Sequence, residues 1–179
     1  MSGALSILRD EHRRILEVFA NFERRCSAAG ELSAEYIEDL LAFVEIFIDA
    51  NHHGKEERAL FGTTDEHPWL SSFALLLNEQ HTEGRTLVRA VRCARGRGES
   101  GLSELRSFVE LLREHIAREN EAIFVSIEQA LDENSNGALA DRFAAIEREV
   151  IARWKIAEPG EEHRPIGELR RWDALLARS

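Results

Sequence analysis

The chain has 179 residues, enough for one domain with a sizeable core and too few to suggest two. With 44% hydrophobic and 31% charged residues, 11 glycines and 3 prolines, it reads as an ordinary soluble globular protein, neither collagen-like nor disordered. A formal net charge of −10 argues against nucleic acid or an anionic membrane as the main partner, because both demand a basic face.

The one basic run, RCARGRG from Arg92 to Gly98, is short and broken by glycine, and reads as a solvated loop. No stretch approaches the roughly 18 continuous apolar residues of a membrane helix. Arg9, Asp10 and Glu11 stand where a signal peptide needs its apolar segment, so a cytoplasmic location is expected. Cys26 and Cys93 are far apart and form no metal-ligand pair, and in a reducing compartment they are expected to be free thiols.

Periodicity predicts helix nearly throughout. Leu5, Leu8, His12, Ile15, Leu16, Phe19 and Phe22 recur at three- and four-residue steps and define a first helix ending near Gly30. Ser33 is placed to cap a second, with Ile37, Leu40, Phe43, Val44, Phe47 and Phe61. GTTDEHPWLSS reads as a loop closed by Pro68. A third helix carries Phe73, Leu76, Leu77, Leu87, Val88 and Val91 and stops at Gly96 and Gly98. A fourth carries Leu105, Phe108, Val109, Leu112, Ile116, Ile123 and Ile127 and breaks at Asp132 to Gly137. A shorter fifth helix is expected around Leu139 to Trp154, and the tail from Glu158 reads as an appendage. The expected architecture is all-α: an up-and-down four-helix bundle with an additional helix over 1–157, then a C-terminal tail over 158–179.

The histidines carry the chemistry. His12 sits mid-stripe between Leu8 and Ile15, and His115 and Glu119 lie one turn apart in the stripe of Leu112, Ile116 and Ile123. A carboxylate on an apolar face is costly unless its charge is compensated, and a metal ion compensates it. NHHGKEE offers two pairs at i, i+4: His52 with Glu56, and His53 with Glu57. An α-helical wheel puts Glu57 beside the direction of Leu40, Phe43, Phe47 and Phe61 with His53 just behind, and turns His52 and Glu56 about 100° toward the flank. His81 lies at the edge of the face of Leu77, Gly84 and Val88.

The candidate ligands are therefore His12, His53, Glu57, His81, His115 and Glu119. Imidazole suits iron, and carboxylates balance the charge of hard cations. A mononuclear zinc site usually needs three or four donors, so six favour a dinuclear centre. A lone inward histidine is more often a hydrogen-bonded core residue, and for His12 by itself that reading is ahead. For the six together, it must explain several buried polar groups separately. His67 and His163, in a loop and in the tail, carry no metal argument.

In LRDEHRRIL, NHHGKEERALF, NEQHTEGR and LLREHIARENEAIF the chain resembles the haemerythrin-like (HHE cation-binding) family over about residues 1 to 131. The resemblance implies a bundle holding two non-haem iron ions as a bridged di-iron centre. It implies Glu57 and Glu119 as bridges, His12 and His53 on one iron, and His81 and His115 on the other. Dioxygen, nitric oxide or peroxide would be the small ligands. Two positions depart from the oxygen-carrier pattern: Leu77 stands where the carriers have a second histidine, and Glu119 follows His115 by four residues where they have an aspartate at five. The expected function is a protein that binds or senses dioxygen, nitric oxide or iron. The alternatives are a di-iron oxidase or peroxidase, and a structural bundle that binds zinc or no metal. Oligomeric state is left open.

Overall fold

The structure, a computed structural model, describes residues 3–28, 32–64, 68–161 and 163–177. The predicted end of the first helix at Gly30 and the loop residue His67 lie outside these. The chain is all-α, as its periodicity predicts, with no strand among the described residues. It divides into two compact units: residues 1–56 with 133–179, and residues 57–132.

In the first unit α1 (Ala4–Ser27) buries Leu5, Leu8, Ile15, Phe19 and Phe22, the predicted stripe. Its first turn is closed by Asn136, whose Oδ1 accepts the Ala4 N–H at 2.8 Å. Helix α2 (Ala34–Ala42) is capped as predicted, Ser33 Oγ accepting the Tyr36 N–H at 3.1 Å. It does not go on as α-helix: Phe43–His53 and Glu56–Leu60 are π-helical. Each π turn bonds i to i+5 and so takes up an extra residue, setting back the residues after it by up to about 100° on an α wheel.

Helix α6 (Glu133–Trp154) begins inside the predicted break and packs on α1. The tail departs from the expected appendage. Ile166, Leu169, Trp172 and Leu175 are all buried, through two short turns and the helix α7 (Asp173–Leu176) that packs on α1 and α2. Trp172 stands edge-on to Phe43 with centroids 5.2 Å apart, and Asn21 Nδ2 donates to the Leu175 carbonyl at 2.7 Å. These large apolar side chains share one core, and each contributes about 1.5–3 kcal/mol by leaving water. Glu161, also buried, staples the approach by accepting the backbone N–H of Arg170 at 3.0 Å and of Glu158 at 3.1 Å.

In the second unit α3 (Pro68–Gly96) starts earlier than predicted, its leading proline suiting a first helical turn that has no N–H partner to lose. It packs along α4 (Leu102–Arg118), burying Leu77, Val88 and Val91 against Leu105, Phe108 and Leu112. Leu76, predicted inward, is 39% exposed. Gly101 turns the chain into α4 at φ 67, where a Cβ would meet the Val91 carbonyl oxygen at 3.2 Å. Glu119–Ile123 is again π-helical and leads into α5 (Phe124–Ala130).

Candidate metal-binding site

Each unit brings two histidine rings and one carboxylate together in its interior. In the first, His12 from α1 and His52 from the π-helical stretch approach with their Nε2 atoms 3.0 Å apart. Glu56 Oε1 lies 3.5 Å from His52 Nε2, and the three residues offer ligand atoms within 4.8 Å of one another. His53 is buried too and offers a ligand atom within 4.8 Å of one on Glu56. In the second unit, His81 Nε2 of α3 is 3.2 Å from His115 Nε2 of α4, and Glu119 Oε2 is 3.3 Å from His115 Nε2. The Phe61 ring stacks on His81 with centroids 6.0 Å apart.

What holds the rings decides their chemistry. His52 Nδ1 is 2.9 Å from Glu11 Oε2, His81 Nδ1 is 2.8 Å from Glu57 Oε1, and His115 Nδ1 is 3.1 Å from Gln80 Oε1. Each of these oxygens accepts, so each Nδ1 carries the hydrogen, and in a neutral ring Nε2 is left as a lone pair. In the second unit, two lone pairs then converge from His81 and His115, an arrangement that a cation satisfies. A partner at Nδ1 also makes Nε2 a stronger donor to metal.

The donor set fits an ion. Two nitrogens bound at right angles at about 2.1 Å stand about 3.0 Å apart, against 3.0 and 3.2 Å here. Two imidazoles and a carboxylate in each unit are the ligand combination that suits non-haem iron(II).

Behind His52 the first unit buries a charged cluster. Glu11 takes hydrogen bonds from Lys55 Nζ and, at 2.8 Å, from Asn51 Nδ2, and Lys55 also donates to Glu147 Oε2 at 2.7 Å. Burial pushes the Glu11 carboxyl up, but the Lys55 charge and the His52 and Lys55 hydrogen bonds outweigh it and hold its pKa at about 2. For Lys55 burial works downward, and the two carboxylates overcome it and raise its pKa. Glu57 is likewise held low: burial raises it, and His81 and Arg85, the latter donating at 2.6 Å, prevail.

Of the six residues singled out in the sequence, His12, His81, His115 and Glu119 lie in these clusters, and His53 is buried beside Glu56. Glu57 is 27% exposed and holds His81 Nδ1 from outside. The α wheel put His52 and Glu56 on the flank, whereas both are fully buried. The π-helical set-back is the reason, since it carries them inward and turns Glu57 past the buried side. Glu11, Lys55, Gln80 and Glu147 did not stand out in the sequence. Glu11 was findable, lying three residues after Leu8 and four before Ile15 in the same stripe.

A family model described as the Hemerythrin HHE cation binding domain matches residues 3–127, more than half of the chain. Comparison with curated proteins and with solved structures returns no match.

Proposed function

This chain belongs to the hemerythrin HHE cation-binding domain family, and we propose that the cation it holds is non-haem iron, two ions per chain. His12, His52 and Glu56 are the donors of the first unit, with His53 in reach of Glu56, and His81, His115 and Glu119 are those of the second. The observation that carries the reading is the paired Nε2 atoms at 3.0 and 3.2 Å, each pair with a buried carboxylate within 3.5 Å. Glu11, Glu57 and Gln80 hold the far sides of the rings, so the donors are oriented before any ion arrives.

Bound iron supplies electron transfer and coordination positions open to a small ligand. In this reading the chain binds or senses dioxygen, nitric oxide or iron itself. The protein's own contribution is a buried donor set in which partners at Nδ1 hold the His52, His81 and His115 rings. Iron analysis with an absorption spectrum of aerobically purified protein tests it. About two irons per chain and a visible band are expected, and a colourless protein that takes up no iron on reconstitution would sink it.

A second reading, a di-iron oxidase or peroxidase, is favoured by Leu77. This side chain is fully buried where oxygen carriers have a further histidine, so one donor fewer is offered and more exchange is allowed. Repeated turnover with peroxide or nitric oxide in stopped flow separates the two, and a centre that reacts once without cycling excludes the enzyme.

A further inference from the structure

Glu147 stands on α6, beyond residues 3–127 of the family match, and yet is tied to His52. Its Oε1 accepts the backbone N–H of Ile166 in the tail at 3.0 Å, and its Oε2 accepts from Lys55 Nζ at 2.7 Å. Lys55 Nζ donates also to Glu11, whose other oxygen holds His52 Nδ1 at 2.9 Å. A continuous run of hydrogen bonds therefore leads from the tail to a ring of the first unit's cluster. The tail is set against this run by Gly167, where an added Cβ would meet the Phe47 ring at 3.2 Å. A cavity of about 360 Å³, lined by Glu11, Glu147 and Ile166 among others, opens beside it.

Two carboxylates share one ammonium. With Glu147 absent, Lys55 would turn wholly to Glu11 and draw charge away from the His52 N–H. We propose that Glu147 is a positioning residue for metal binding: it shares Lys55, leaves the Glu11 charge available to His52, and couples docking of the C-terminal segment to the cluster. This rests on His52 as a ligand. Coupling of this kind is reciprocal, so metal at the cluster must also be felt at Ile166.

Zn(II), being diamagnetic, serves as the probe on the full chain. Competition with a chromophoric chelator gives affinity, and long-range 1H–15N spectra read the His52 ring nitrogens. Losing a direct partner of a ligand costs about 10–100-fold in affinity, so Glu147→Gln, two hydrogen bonds beyond that partner, is expected to cost about three- to tenfold. The His52 ring nitrogens should move with it, and in the unmutated chain the Ile166 amide should shift on Zn(II) loading. Unchanged affinity and an unmoved ring in Glu147→Gln, even with a lowered Tm, would overturn the proposal and leave Glu147 a purely structural support. If that variant does not fold, the unmutated chain decides, because an Ile166 amide indifferent to Zn(II) also overturns it. An unmutated chain that takes up no Zn(II) or iron overturns the ligand reading itself, a result distinct from both.

Discussion

Replacing Lys55 with methionine should be among the most damaging single changes in the first unit. The Lys55 side chain is 1% exposed, the Glu11 side chain that it neutralises 8%, and that of Glu147 19%. Methionine keeps the volume and removes the charge. The Glu11 carboxyl lies at about 2 instead of 4.5, a preference for the ionised form of about 3 kcal/mol net of the burial that opposes it. Without Lys55 its share of that preference, the largest opposing burial, is lost while the burial remains and only His52 and Asn51 still hold the carboxylate. Removing one member of a buried pair typically costs about 3–5 kcal/mol. Glu147, nearer solvent, adds little. The double variant Lys55→Met/Glu11→Gln leaves no buried charge at this point and should recover roughly half of the loss, a non-additivity that a double-mutant cycle isolates. Urea unfolding of the metal-free chain at pH 7, followed by far-UV circular dichroism, measures all three. A Lys55→Met loss below about 1 kcal/mol, or strictly additive variants, would refute the argument that this lysine compensates a buried carboxylate.

Glu56→Gln and Glu57→Gln should differ in kind. The first should lower iron stoichiometry from two ions toward one per chain, while the second keeps the stoichiometry and weakens uptake by about 10–100-fold through His81; iron content and Fe(II) titration read both. Trp172→Ala should cost about 3–5 kcal/mol, because this indole is 1% exposed and its Nε1 donates to the Ile166 carbonyl at 2.8 Å; the Tm measures it. Glu161 is held below its ordinary value of 4.5 by hydrogen bonding from the Arg170 backbone, with the Glu158 N–H and the charges of Arg170 and Arg164 adding to it against burial. Its contribution is therefore complete above pH 4.5 and is lost as pH falls through the lower folded value. An acid titration of Trp172 fluorescence should show that transition, and Glu161→Gln should remove it.

The apolar stripes of α1 and α4 were legible in the sequence because an α-helix repeats every 3.6 residues, so Leu8, His12, Ile15 and Leu112, His115, Ile116 declare their common face without help from the rest of the chain. The resemblance to the HHE family was legible in four short segments, around His12, His53 with Glu57, His81, and His115 with Glu119. That His52 and Glu56 are fully buried while Glu57 is 27% exposed was not legible. It depends on where the helix after Ala42 widens to π turns, and a widened turn is stabilised by packing, which no local spacing records. The tail was misread on similar grounds. Pro159, Gly160 and Pro165 break periodicity, so Ile166, Leu169, Trp172 and Leu175 show no common face until they meet Phe43, Phe47 and α1. Lys55 and Glu147 are charged residues that a sequence assigns to the surface by default. Only the tertiary structure, by burying Glu11 beside His52, supplies the charge that draws them inward.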